Sequence, residues 1–427
     1  MNYNTHTLSN GLRIIHLPST SPVVYCGYQI QAGSRDELPG EEGLAHFCEH
    51  TTFKGTSRRR AWHILNSLES VGGDLQAYTT KESTVYYAAI LHDHTARAVD
   101  LLTDIVFHST YPQAELDKEV EVICDEIESY NDTPSELIYD EFENHLFKGH
   151  PLGHSILGTA EGVRSFTQAD AQRFAHRHYR PDNAIFFAYG DISFSRLVRL
   201  LEKAQVGLSA ASAIQHPQSA ELPHHDFLQE PRTVIIPKHT HQAHVMTGTQ
   251  ACNVHDARRM PLYLLNNILG GPGMNAKLNL ALREHHGLVY TVESNLTTYS
   301  DLGYWSIYYG CDVHDIERCR RLVHRELQHF IDRPLSPSQL RAAKKQIKGQ
   351  IGVACDNREN FALDFGKSYL HYGWLKNIQH LYEQIDEITS QQIQEVAQEY
   401  FADERLFTLI YQSVSYTHLT LPTNREV

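Results

Sequence analysis

Two stretches of this 427-residue chain are written on one plan, about 221 residues apart. Tyr179 and Tyr400 stand at that offset, each closing an amphipathic segment, and so do Asp182 and Asp403 in the turns that follow. The aromatic run TVYYAAIL (84–91) falls on WSIYYGCD (305–312), with Tyr87 over Tyr308. A chain that repeats one order of helix, turn and strand folds as two similar units. Its length points the same way, since single cores stop growing at roughly 250–300 residues.

Strands come in adjacent runs, TLSNGLRIIHLP and then VVYCGYQIQAG, with helices expected near 42–53, 60–72, 93–108 and 113–130. That grouping predicts an α+β fold, two similar α/β-sandwich domains, rather than a doubly wound sheet. An N-terminal domain is expected over 1–206 and a second over 232–414. Between them, 207–231 is rich in Ser, Ala, Pro and His without periodicity, the composition of a linker. Residues 415–427, SYTHLTLPTNREV, are polar and unpatterned after the strand RLFTLIYQ and are read as a non-native tail.

The first half carries His46-Phe47-Cys48-Glu49-His50. On a helix, positions i, i+3 and i+4 share one face. His46 and His50 can then ligate one zinc while Glu49 serves a water as base. H-x-x-E-H is the inverse of H-E-x-x-H and a metallopeptidase signature. Glu119 and Glu126 lie seven residues apart, two helical turns, with Val122 and Ile123 read between them on an apolar stripe. Carboxylates there are costly unless paired or metal-bound. One of the two as third zinc ligand, the other as its support, accounts for both. At the repeat offset His46, Glu49, His50 and Glu126 become Asn267, Gly270, Gly271 and Ile347, so every candidate metal or base position is lost in the second half.

With these residues the chain resembles the pitrilysin/insulinase family of metallopeptidases, in the short-chain branch that includes the mitochondrial processing peptidase subunits. The resemblance spans nearly the whole chain apart from the tail and implies a duplicated metallohydrolase fold. The family's glutamate about 76 residues past HxxEH lands on Glu126. By that resemblance His46, His50 and Glu126 hold one Zn2+ per chain, Glu49 is the base, and Glu119 supports the site. FKGTSRR (53–59) is similar to the family segment after the zinc helix. VGGDLQAYTTKESTVYY (71–87) is similar to the edge strand on which substrates lie, with Gln76 before Ala77 where asparagine is usual. NNILGGPGMNAKLNLALREHHGLVYTVES (266–294) resembles the segment whose arginine and tyrosine reach the substrate, here Arg283 and Tyr290, with Gly287 between them marking a helix end.

The function implied is a zinc-dependent endopeptidase acting on peptides or unfolded polypeptide inside a closed chamber. A narrow processing peptidase or a peptide-cofactor maturation enzyme fits the same residues. A non-catalytic scaffold subunit of this fold, as in respiratory complexes, is disfavoured by the intact HxxEH set. Relatives of this length pair, so a homodimer is expected and a heterodimer with a zinc-free partner stays open.

Bulk properties narrow the partners. A formal charge of −14 argues against nucleic acid, and no apolar run is long enough to span a bilayer. Seven cysteines without CxxC or disulfide spacing, and no secretory signal, place the expectation in the cytoplasm. His239-x-His241-x-x-His244 lies on a strand-like segment whose period does not converge three imidazoles, and GGPG (270–273) lacks the GK[ST] ending of a phosphate loop.

Overall fold

A computed structural model describes residues 1–208, 232–238 and 240–413 of the chain. The linker from 209 onward and the whole of 415–427 lie outside the described residues.

In the first half the strands are β1 (Asn4–Thr7), β2 (Arg13–Pro18), β3 (Val23–Ile30), β4 (Asp74–Thr79), β5 (Thr84–Leu91) and β6 (Ala184–Gly190). The helices are α1 (Leu44–Thr52), α2 (Ala61–Glu69), α3 (Thr95–His108), α4 (Gln113–Asn131), α5 (Pro134–Leu146), α6 (Ala160–Ser165), α7 (Gln168–His178) and α8 (Phe194–Ala204). In the second half β7 (Thr233–Pro237), β8 (Ala243–Ala251), β9 (Val289–Thr298), β10 (Gly303–Cys311) and β11 (Phe407–Gln412) form the sheet. Its helices are α9 (Arg259–Gly270), α10 (Ile316–Asp332), α11 (Pro337–Ala354), α12 (Arg358–Tyr372), α13 (Ile378–Glu387) and α14 (Ser390–Tyr400).

The sheets run β1-β2-β6-β3-β5-β4 and β7-β11-β8-β10-β9. Strand for strand these are one order with β1 added, so the duplication and the α+β architecture read from the sequence are both present. Local chemistry repeats as well. α7 opens on a capping box of Thr167 and Asp170, and α14 opens on one of Thr389 and Gln392. β4 and β9 are the far edges of their sheets.

Each sheet packs helices of its own half on one face. β3 and β5 lie against α3, and the apolar cluster there includes Tyr28, Phe47, Tyr86 and Phe186. The second sheet has the matching cluster around Trp305, Leu264 and Ile347. The opposite faces are covered by exchange. α12 of the second half packs on β3 and β6, with Phe361 and Phe365 against Ile15, Val85 and Phe187. α5 of the first half packs on β8 and β11, with Phe142 and Leu146 against Met246, Tyr304 and Leu409.

Polar contacts pin the exchanged helices. Arg13 donates to the carbonyls of Tyr369 (3.1 Å) and Leu370 (3.0 Å) at the end of α12, where a helix favours a cation. Tyr299 donates to Glu143 on α5 at 2.5 Å. Arg35 reaches from the first half to both oxygens of Asp301 (3.0 and 2.6 Å) and to Glu82 (2.6 Å).

This junction makes stability depend on pH. Burial pushes Glu143 up to about 7, against the opposing pull of Lys81 and the Tyr299 hydrogen bond, with Asp140 adding to the rise. A carboxyl whose pKa is raised by folding contributes stability that is full below its unfolded pKa of about 4.3 and lost as pH rises through the folded value. Glu143→Gln keeps an oxygen for Tyr299 and removes the titration. Its melting temperature is therefore expected to fall less than the wild type's between about pH 4.5 and 7. Parallel curves in calorimetric scans across that range would exclude Glu143 as the titrating group.

Candidate metal centre

α1 carries the HxxEH motif and is almost wholly buried; His46 is 6% and Glu49 9% exposed. Its start is fixed from outside the helix. The Glu37 carboxylate accepts from the backbone N–H of Gly43 (3.0 Å) and Ala45 (2.7 Å), a negative charge at the positive end of the helix. Gly43, at φ +98°, lies so close to the backbone of Leu157 and Gly158 that a Cβ there would sit 2.8 Å from the Leu157 carbonyl oxygen.

α4 brings its carboxylates to the same place. Glu126 Oε2 lies 3.3 Å from His50 Nε2 and 3.8 Å from His46 Nε2. One ligand atom from each of the three residues falls within 4.8 Å of the others, and among the described residues no other group of this kind occurs. Tetrahedral zinc with bonds of about 2.0–2.2 Å needs ligand atoms roughly 3.3–3.6 Å apart, so the His50–Glu126 pair already meets the ion's spacing and the His46–Glu126 pair is a few tenths of an ångström wide of it.

Glu119 turns to the other nitrogen of His50, with Oε1 3.1 Å from Nδ1, and its Oε2 receives Lys54 Nζ at 2.6 Å. That arrangement sets the tautomer and orientation of a ligating imidazole. His46 Nδ1 is buried without a hydrogen-bond partner among the described residues, and its ring is held edge-on to His50 at 4.6 Å.

The electrostatics separate the two histidines. Burial first, and then His50, pushes His46 down to about 4, leaving its lone pair free near neutral pH. For His50 burial also disfavours the cation, but the hydrogen bonds to Glu119 and Glu126 outweigh it and raise the ring to about 9. Glu126 is lowered, chiefly by its hydrogen bond to His50. Glu119 is lowered too, because His50 and Lys54 overcome its desolvation. Glu49 goes the other way. Burial raises it, offset in part by Thr79, whose hydroxyl donates to Glu49 Oε2 at 2.7 Å from the end of the edge strand β4.

One detail of the α4 reading is overturned. Val122 is 52% exposed, and the Glu126 side chain 45%, so the helix's buried line runs through Leu116, Ile123, Cys124 and Ile127. The carboxylates flank that line and face α1; they do not lie within it.

Gln76 and Ala77 sit on β4, paired to Tyr87 and Tyr86 of β5 on one side, with the other side the free edge of the sheet. Arg283 lies on a π-helical turn (Asn279–Glu284), and Tyr290 on β9, with Gly287 at φ +61° making the bend between them. The guanidinium stands over the Tyr290 ring at 5.5 Å, and Tyr290 is 81% exposed. Among the described residues no hydrogen bond or ion pair joins either to the His46–His50–Glu126 group. His239 lies outside the described residues, and His244 makes a 2.9 Å hydrogen bond with Tyr308.

Thr79, Lys54 and Glu37 were not singled out from the sequence. Lys54 had a weaker signal, standing four residues after His50 in the turn that follows the end of α1 at Thr52. Thr79 and Glu37 act from other elements, which spacing does not reveal.

The first half matches the family model "Insulinase (Peptidase family M16)" over residues 13–160, and "Peptidase M16 inactive domain" matches 165–347. A Bacillus subtilis relative, "Uncharacterized zinc protease YmxG", is 31% identical over 413 residues, which cover 96% of this chain and 98% of that protein. The chain belongs to the insulinase family of peptidases, family M16. A Streptomyces coelicolor relative, "Uncharacterized zinc protease SCO5738", is 30% identical over 92% of this chain and 86% of its own length. Among solved structures, a protease from Helicobacter pylori superposes with a TM-score of 0.87 at 21% identity, covering 96% of this chain and 99% of its own. An M16 inactive-domain protein from Pseudomonas fluorescens gives 0.84 at 20% identity, covering 97% and 98%. At those identities the superpositions speak for the fold. No helix among the described residues is long and apolar enough to cross a membrane.

Proposed function

We propose that this chain is a zinc-dependent endopeptidase that cleaves peptides or unfolded polypeptide segments. The observation that carries the reading is the convergence of His46, His50 and Glu126, with Glu49 buried on the same helix face. His46, His50 and Glu126 would hold zinc, one per chain, and the ion would supply Lewis-acid activation of a water and polarisation of the scissile carbonyl.

The chain's own groups do the rest. Glu49, with Oε2 occupied by Thr79, has its other oxygen for the attacking water; it takes the proton and passes it to the leaving amine. The free edge of β4 receives the substrate as an added strand, with Gln76 and Ala77 beside it. Glu119, braced by Lys54, keeps the His50 ring in place. Tyr290 and Arg283 stabilise the oxyanion, a contact worth roughly 2.7–4 kcal/mol in other enzymes. Since that pair stands exposed and apart, catalysis requires it to be brought over the peptide, by closure of the halves or by a second chain. A homodimer enclosing a chamber supplies both; a heterodimer with a zinc-free partner is the other arrangement. All seven cysteines are free, which suits the reducing cytoplasm.

Treatment with a chelator is expected to abolish cleavage of a mixed pool of unstructured peptides, and one equivalent of zinc to restore it. Cleavage that survives removal of the metal overturns the reading. Thr79→Val should lower kcat by about tenfold through loss of a hydrogen bond to a charged group, with zinc content unchanged. An unchanged kcat would show that Glu49 is positioned without Thr79.

A further inference from the structure

A cavity of about 710 Å3 opens between the N-terminus of α9, the end of β9 and the α12–α13 connection. Its wall carries Arg259, Lys367 and Lys376, and its one carboxylate, Asp364, is paired with Lys376. Arg259 and Lys367 have no side-chain hydrogen bond or ion pair among the described residues. In a chain of net charge −14, two unpaired cations facing one cavity are a local reversal of sign.

Arg259 is kept there against two costs. As the first residue of α9 it stands at the positive end of the helix, where a cation is disfavoured. It is also half-buried, and the groups around it are Cys252, Tyr372 and Tyr263, none of them a carboxylate; burial pulls its pKa down. Its neighbour Arg258 is by contrast neutralised by Asp256 (2.5 Å) and Glu399 (2.5 Å). A desolvated guanidinium without a counter-charge is strongly destabilising unless a ligand supplies one.

Two aromatic rings, Tyr372 and Trp374, stand in the same wall beside Val254, Leu375 and Leu381. Tyr372 and Trp374 rings lie 4.9 Å apart, His255 stands edge-on to both at 5.4 and 5.3 Å, and Trp374 remains 41% exposed. A flat, half-open ring surface beside an unpaired guanidinium is complementary to a carboxylate or phosphate attached to a ring or apolar body.

We propose that this cavity binds a small organic anion, its charge on Arg259 and Lys367 and its apolar body against Tyr372 and Trp374. The site is separate from the His46–His50–Glu126 centre, and its occupancy is read without any measurement of cleavage.

The test uses the full chain and follows fluorescence, since Trp374 lines the cavity while Trp305 is buried in the second core and Trp62 stands on α2 of the first half, outside the cavity's lining. The probes are N-acetylphenylalanine as the free acid, its amide, and phenyl phosphate, with calorimetry as a second readout. The acid and the phosphate ester are expected to bind saturably and the neutral amide about tenfold or more weaker, the scale of one charged hydrogen bond. Trp374→Phe should silence the optical signal while calorimetry still reports binding.

Arg259→Met is expected to weaken the acid by a similar factor while the melting temperature stays level or rises, because the substitution removes an unpaired cation; a merely structural arginine would lower it. Arg259→Lys should retain part of the affinity. A peptide ending in a free phenylalanine carboxylate identifies the source. If it binds as well as the small acid, the anion is a chain end; if it is excluded while the small acids bind, the anion is a free metabolite. Equal binding of acid and amide, wild-type affinity in Arg259→Met, or no saturable binding by either anionic probe overturns the proposal.

Discussion

A Glu49→Gln chain is expected to keep one zinc and lose peptide cleavage by about 10²–10⁴-fold, the contribution of a positioned general base. The substitution is close to isosteric, and its amide oxygen still accepts the Thr79 hydroxyl that now binds Oε2 at 2.7 Å. It leaves His46, His50 and Glu126 untouched, so the metal site persists while the proton acceptor is gone. Zinc by atomic emission and cleavage of an unstructured peptide pool, run on both proteins, decide the matter. Retained cleavage removes Glu49 as base. Loss of zinc together with cleavage moves it among the ligands. Zinc in both proteins with cleavage in neither points to a missing partner chain or a very narrow substrate.

The second large effect lies far from the metal. Phe365 of α12 is fully buried on the first sheet, against Tyr3 (5.3 Å between ring centroids), Phe361 (6.0 Å), Tyr189 (6.3 Å) and Phe187 (6.4 Å). Phe365→Ala is expected to cost about 3–5 kcal/mol, from lost transfer energy and the cavity left behind. Because α12 belongs to the second half and α5 covers the second sheet in return, the loss should not stay local. Native-state hydrogen exchange should show amides of β3 and β5 losing protection together with those of β8 and β10. Loss confined to β3, β5 and β6 would mean that the two halves open independently.

The duplication was legible because helix and strand periodicities are local, and they repeated at one spacing. The candidate cluster was legible because HxxEH places His46 and His50 on one turn of one helix, and Glu126 followed from the family's spacing. The position of Val122 was not, since a stripe's phase on a partly exposed helix depends on what packs against it. The exchange of α5 and α12 left no signal either. An apolar face announces that a helix will be covered, and it does not say by which sheet. Nor does spacing put Thr79 on Glu49, a contact made across two elements 30 residues apart in the chain. The Arg283–Tyr290 stacking needs the turn at Gly287, which the glycine marks but does not shape.

The crossed helices also set a timetable for biosynthesis. The first sheet is complete in sequence when β6 ends at Gly190, yet the face that α12 covers stays bare until Arg358–Tyr372 has been made. At about 5–20 residues per second that is a wait of roughly 10–40 s, with Ile15, Val85, Ile185 and Phe187 in water or on a chaperone. α5 waits longer, because the sheet it covers is complete in sequence only when β11 ends at Gln412. The chain therefore closes late and at both ends of its contact order, and a ribosome that stalls inside the second half releases two uncovered apolar faces at once.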